Sequence, residues 1–94
     1  MTSTAPAAIL NSMEELILTA HANIVIAERG IKPAWIHRVV ECPERVEDDV
    51  DSELIHALGR IAEHGDRVLR VVHSRSLPPR IVTVYFDRTM RGRL

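Results

Sequence analysis

The runs Arg67-Val68-Leu69-Arg70-Val71-Val72-His73 and Ile81-Val82-Thr83-Val84-Tyr85-Phe86 decide the fold; a Ser/Pro loop containing Pro78-Pro79 separates them. Both have strand length and are rich in β-branched residues, which suit a pleated, half-buried surface. They are expected to pair antiparallel. Each is apolar on both faces for part of its length, so they read as central strands with helices covering one side.

Working backward, His64-Gly65-Asp66 marks a turn. Before it, Ile55, Ala57, Gly59 and Ile61 alternate with His56, Leu58 and Arg60, so Leu54 to Ile61 reads as a further strand. The segment Glu41 to Glu53 is strongly acidic, with Arg45 its only basic residue. A short strand at Arg45 to Asp49 would lie at a sheet edge, where charge discourages edge-to-edge association. Lys32-Pro33 opens a helix, because proline suits a first helical turn. Ile36, Val39 and Val40 form its apolar stripe beside Trp35, and Pro43 stops it at about Cys42.

The segment before Gly30 has two readings. Ser12 and Glu15 match a capping box, and Met13, Leu16, Ile17, Ala20, Ile24 and Ala27 share one face of a single long helix. The rival makes Glu15 to Leu18 a short strand and Thr19 the N-cap of a helix ending at Arg29. Gly30 terminates either helix, since glycine adopts the left-handed C′ conformation without a steric penalty. Residues 1–12, with a Ser/Thr/Ala/Pro-rich start, are expected to be a flexible tail. Residues 13–94 form one α+β domain in this reading: two N-terminal helices packed on a small antiparallel sheet built mainly by the C-terminal half.

Composition bounds the function. A chain of 94 residues has room for one core, burying roughly 60–65% of its unfolded surface. Trp35, Tyr85 and Phe86 are the only aromatic residues apart from the histidines, so the core is aliphatic. Cys42 is the sole cysteine, which excludes an intrachain disulfide and a multi-cysteine metal site and fits a reducing cytoplasm. The start lacks the pattern of a signal peptide, and no apolar run is long enough for a bilayer. The net charge is −1, yet the part up to Asp66 carries about −7 and the part from Arg67 onward about +6. Arginine dominates the basic residues, which suits phosphate recognition.

Most catalytic signatures are missing. The glycines are scattered, there is no phosphate-cradling loop, and no Gly-x-Ser-x-Gly elbow occurs. Asp49-Val50-Asp51-Ser52-Glu53 begins like a calcium loop, but Leu54 stands where the sharp turn needs glycine. The five histidines show no ligand pair at helical spacing, so neither a metal nor another cofactor is expected. The remaining candidates are arginines with nearby titratable groups. Arg67 and Arg70 fall on opposite faces of one strand, Arg75 and Arg80 flank the Pro loop, and Arg88 follows the last strand. Such a cluster with Tyr85 could bind a phosphate backbone and stack on a base. The competing reading is a solvated face whose arginines pair with the acidic segment. His21 and His73 are candidate acid–base groups, with packing roles as the alternative.

The series Leu18-Thr19-Ala20-His21-Ala22, Ala27-Glu28-Arg29-Gly30-Ile31, Trp35-Ile36 and Pro43 resembles a widespread uncharacterised prokaryotic domain. So do Gly59-Arg60-Ile61, Arg67 to Val72, and Val82-Thr83-Val84-Tyr85-Phe86-Asp87-Arg88. The resemblance runs from Glu15 to the C-terminus and favours the strand-then-helix reading of residues 15–29. That domain is in turn distantly similar to the RelE/ParE/BrnT toxins of bacterial toxin–antitoxin modules, some of which cleave ribosome-bound mRNA with basic and aromatic groups. The resemblance implies catalytic roles for His21, Arg70, His73, Tyr85 and Arg88, and phosphate contacts by Arg67, Arg75 and Arg80. It also implies RNA or the ribosome and an antitoxin-like protein as partners. Two departures stand out: Ile24, Val25 and Ile26 occupy the region where the family's helix often carries an arginine, and the chain is not strongly basic.

Two functions therefore lead, ahead of a metal- or small-molecule-dependent enzyme, which would need a pocket with convergent polar groups. A toxin-type module acting on RNA or translation predicts that the C-terminal arginines converge on one concave face with His73 or Tyr85. A non-enzymatic interaction module predicts scattered arginines paired with Glu41 to Glu53. Oligomeric state is not readable from the sequence.

Overall fold

Thr19 ends a strand and begins a helix. In the computed structural model, which describes residues 16–94, Ile17–Leu18 form β1 and Ala20–Arg29 form α1. The Thr19 backbone is extended, and its hydroxyl oxygen accepts from the Ala22 N–H at 3.1 Å, satisfying one of the free donors of the first turn. At the other end Gly30 takes a φ of 63°. The Ile31 N–H reaches the Ile26 carbonyl at 3.1 Å and the Gly30 N–H reaches that of Ala27 at 3.4 Å. This is a Schellman cap. The strand-then-helix reading therefore holds from Ile17 onward. The tail expected over residues 1–12 and the Ser12–Glu15 capping box lie outside the described residues.

The second helix, α2, spans Pro33–Glu41 with proline in its first turn, and it buries Trp35, Ile36 and Val39. Four more strands follow: β2 (Arg45–Asp48), β3 (Ile55–Ile61), β4 (Arg67–His73) and β5 (Arg80–Phe86). A 3-10 turn at Ala62–His64 links β3 to β4, and another at Arg88–Met90 follows β5. The sheet order is β1-β5-β4-β3-β2. All pairs are antiparallel except β1 with β5, so the sheet is mixed where a purely antiparallel one was expected. The fold class is α+β as expected.

Both helices cover one face, α1 over β5 and α2 over β3 and β4. Ala22, Val25, Ile36 and Val39 meet Ala57, Ile61, Leu69, Val71, Ile81 and Val84 there. Each fully buried aliphatic side chain contributes about 1.5–3 kcal/mol. An irregularity helps to assemble this core: the β4–β5 register steps from Val72↔Thr83 to His73↔Ile81. The extra residue on β5 lets Ile81 and Val84, three apart, both reach the helix-covered side. Glycine at 59 lets α2 approach, since a Cβ there would stand 3.1 Å from Val39 Cγ2. A smaller cluster of Leu58, Val68 and Met90 forms separately, with Leu94 packed against it.

The edges are managed differently. β1 pairs only with Arg80 and Ile81 of β5. Beyond it, Thr19 Oγ1 donates to the Val82 carbonyl at 3.3 Å and Arg29 Nη1 to that of Val84 at 2.7 Å, so α1 side chains satisfy acceptors on the open edge. The other edge is β2, whose charged residues blunt it. Among the described residues no helix is long and apolar enough to cross a membrane.

Candidate functional site

Alternation places Arg70 on the sheet face opposite Leu69 and Val71, and its position on the central strand β4 buries it to 9% exposure. A buried guanidinium needs partners, and three elements supply them. Asp87, just past β5, accepts at Oδ2 from Nε at 2.8 Å and from Nη2 at 2.7 Å. Glu47 of β2 accepts from Nη1 at 3.2 Å. His56 Nδ1 of β3 lies 2.8 Å from the same nitrogen. Arginine can only donate, so His56 Nδ1 is the acceptor and its Nε2–H donates to Asp49 Oδ1 at 2.8 Å.

Burial works against the Arg70 charge, but the bonds to Asp87 and Glu47 outweigh it and raise its pKa. Thr89 acts first on Asp87: its hydroxyl donates to Oδ1 at 2.6 Å and its N–H to the same oxygen at 3.0 Å. Together with Arg70, this holds the Asp87 carboxyl below its ordinary range despite burial. Asp49 is lowered likewise, mainly by Ser52 and then by His56. The network has its donors and acceptors matched, and it ties β2, β3, β4 and the segment after β5 together.

A second group lies where β4 begins and β5 ends. Arg67, Val68, Phe86, Asp87, Arg88 and Arg91 line a cavity of about 420 Å³. Both oxygens of the one carboxylate here are engaged, by Arg70 and Thr89. Arg91 makes one long bond, Nη2 to the Gly65 carbonyl at 3.4 Å. Among the described residues, the side chains of Arg67 and Arg88 have no hydrogen-bond or ion-pair partner. The lining therefore includes three arginines and a single carboxylate, Asp87, whose two oxygens are already engaged. Phe86 is held from behind by Trp35 and His64, with ring centroids 6.1 and 4.9 Å away.

The other sequence-selected residues do not join this group. His73 ends β4, six residues or about 20 Å along the strand from Arg67. Its Nδ1 lies 2.8 Å from the Ser74 carbonyl. His21 Nε2 contacts Thr83 Oγ1 at 3.3 Å. Arg75 binds Asp48 at 2.7 Å and the Glu53 carbonyl at 2.9 Å, which ties the β4–β5 loop to the acidic segment. Arg80 is exposed at the start of β5, at its far end from Phe86. Tyr85 is the cross-strand neighbour of Arg70. The structure thus brings together Arg67 with Arg88, and Arg70 with Tyr85, and separates both pairs from His73, Arg75 and Arg80.

Sequence reading missed Arg91, Asp87, Glu47 and His56. For Arg91 a signal existed: it follows Arg88 by three, the length of one 3-10 turn, and it caps that turn with its N–H on the Arg88 carbonyl at 3.3 Å. Asp87-Arg88-Thr89 also carries the Asp-x-Thr spacing of a side-chain-capped turn. The pairing of Arg70 with β2 and β3 depends on register and leaves no local mark.

A family model described as Domain of unknown function (DUF4258) matches residues 18–86, which is most of the chain, with β2 to β5 whole and Leu18 of β1. The chain belongs to the DUF4258 family. A search of curated proteins and a search of solved structures returned no match. Within the DUF4258 match fall Arg67, Arg70, Tyr85 and Phe86, while Asp87, Arg88 and Arg91 lie just beyond it. Among the described residues no group of three or more His, Cys, Asp or Glu side chains is placed to hold a metal ion.

Proposed function

We propose that this DUF4258 domain is a non-catalytic module that grips the phosphate backbone of single-stranded RNA with Arg67, Arg88 and Arg91. The observation that carries the reading is the cavity lined by three arginines, with its one lining carboxylate, Asp87, already engaged. Arginine's planar fork of donors matches phosphate oxygens. Arg93, two residues beyond Arg91, is exposed and extends the charge along the C-terminal segment, as a polymer rather than a single anion would use.

A toxin-type nuclease is the finer form of this reading, with Arg70, His73, Tyr85, Arg88 and His21 as catalytic groups and an antitoxin-like protein covering the arginines. The non-catalytic form is favoured because the Arg70 guanidinium is bound to Asp87, Glu47 and His56, and because His73 stands about 20 Å along β4 from the cavity. Action in the cytoplasm, where RNA is available, belongs to the same proposal.

Anisotropy of a labelled single-stranded RNA across a salt series tests it. With two to four phosphates neutralised, log K should fall against log salt with a slope of roughly −1.4 to −2.8. Arg88→Ala should weaken binding and flatten that slope by about 0.7 to 1. Absence of binding at low salt refutes the proposal. Cleavage of the RNA, or growth arrest on induced expression that Arg70→Ala and Arg88→Ala relieve, would replace it with the toxin reading.

A further inference from the structure

We infer that the Arg67–Arg88–Arg91 cavity takes the terminal phosphomonoester of an RNA strand in preference to an internal phosphodiester. This rests on the RNA-backbone reading above and adds which phosphate the cavity selects. The first argument is charge. A phosphodiester carries one negative charge and two unesterified oxygens, whereas a phosphomonoester carries about −1.5 to −2 near neutral pH and three strong acceptor oxygens. Three arginines line the cavity, and its one carboxylate already has Arg70 on one oxygen and Thr89 on the other. The additional charge and the third oxygen therefore meet the donors of Arg67 and Arg88, which have no competing partner among the described residues, and of Arg91, held only by its 3.4 Å bond to the Gly65 carbonyl.

The second argument is shape. The site is a concavity of about 420 Å³, which falls in the range of small-molecule pockets. A strand end can insert its phosphate into such a cavity, while an internal phosphate brings two flanking nucleotides that must leave through its mouth. The lining is also mixed. Val68, 1% exposed, closes part of it, and the partly exposed Phe86 ring is buttressed by Trp35 and His64. That apolar wall beside the guanidinium groups suits the sugar or base of the last nucleotide.

The third argument is local geometry. Asp87 fixes the 3-10 turn through Thr89, and Arg70 fixes Asp87. The backbone carrying Arg88 and Arg91 is thereby anchored to the central strand. Arg88 opens the turn and Arg91 caps it, its N–H on the Arg88 carbonyl at 3.3 Å, so the backbone that carries both is set before binding.

The test uses three otherwise identical single-stranded RNA oligonucleotides, internally labelled: one with a 5′-phosphate, one with a 3′-phosphate and one with hydroxyls at both ends. One phosphorylated oligonucleotide should bind the full chain about tenfold more tightly than the hydroxyl form, as one additional charge-assisted contact implies. Which of the two does so identifies the end. Arg67→Gln/Arg88→Gln should abolish that preference; its circular dichroism spectrum and urea midpoint check that it folds. Equal affinity for all three overturns the inference and leaves the backbone reading standing. A preference that survives in the double variant also overturns it, because the selective site would then lie elsewhere. No binding by any of the three overturns the backbone reading, and this inference with it.

Discussion

Replacing Arg70 by Met should cost most of its energy through the partner left behind. Arg70 is 9% exposed, and the Asp87 side chain it binds is 11% exposed. Removing one member of a buried ion pair costs about 3–5 kcal/mol, because the other charge stays desolvated and unpaired. Here Thr89 continues to donate two bonds to Asp87 Oδ1, and Glu47 keeps Arg45 at 2.8 Å, so part of that penalty is offset. Subtracting about 1 kcal/mol for those contacts leaves an expected loss of about 2–4 kcal/mol. A chain of this length has roughly 5–14 kcal/mol in total. Asp87→Asn should cost about 1–3 kcal/mol, since Arg70 then keeps only Glu47 and His56. The double variant should be little worse than Arg70→Met alone, giving a coupling energy of about 1–3 kcal/mol. Urea unfolding followed by Trp35 fluorescence and far-ultraviolet circular dichroism measures all three, with an unchanged m-value as the check that only stability moved. Coupling below about 0.5 kcal/mol would refute the buried-pair argument. RNA binding supplies a second check: folded Arg70→Met frees Asp87 Oδ2 in the cavity, so affinity should fall while the salt slope stays unchanged, and a flattening as large as that from Arg88→Ala would make Arg70 a phosphate contact.

Glu63 should titrate at about 2, because Arg38 holds it as carboxylate with bonds of 2.9 and 3.0 Å and Trp35 Nε1 donates to it at 3.2 Å. Its folded pKa is depressed, so its contribution is complete above the usual value of 4.5 and is lost as pH falls toward 2. NMR titration of its side-chain carboxyl carbon measures this, and Arg38→Ala should move the midpoint up toward 4.5. Gly59→Ala puts a Cβ 3.1 Å from Val39 Cγ2, and a net loss of about 1–2 kcal/mol in urea unfolding is expected, which Val39→Ala in the same chain should reduce. Thr19→Val removes both the α1 cap and the bond to the Val82 carbonyl while keeping the side-chain shape, so about 1–2 kcal/mol should be lost; no change in the urea midpoint would dismiss the cap.

Legibility followed the range of the interactions. β4 and β5 were readable because their β-branched runs carry the signal locally, and α2 because Pro33 and Pro43 bracket an apolar stripe. β1 was not readable from periodicity. A strand of two residues has no period, and the preference for it over a longer helix came partly from the family resemblance. Its parallel pairing, which makes the sheet mixed, joins positions 63 residues apart, beyond any local pattern. The same limit governed the site. Alternation correctly placed Arg67 and Arg70 on opposite faces of β4, but the burial of Arg70 depends on Glu47, His56 and Asp87 arriving from three other parts of the chain. Arg75 was recognisable as a partner for the acidic segment only by charge, and Asp48 proved to be its particular carboxylate.

The charge asymmetry of the sequence resolves into a sorting of arginines. Arg45, Arg60, Arg70 and Arg75 each pair with a carboxylate between Glu44 and Asp48. Glu44, Glu47 and Asp48 are thus engaged in ion pairs in and just before β2, most of them exposed and worth little individually. Arg67, Arg88 and Arg91, gathered at one end of β4, have no share in it. A net charge of −1 therefore does not argue against anion binding, because neutralisation and excess occupy different places. An approaching polyanion meets a local positive field whose reach is about 8–10 Å at physiological salt. Beyond that distance the rest of the chain, about −4 without those three arginines, offers a polyanion no attraction. Binding should accordingly depend on docking at that one end and vanish with two arginines, whereas a uniformly basic protein would lose its affinity by degrees.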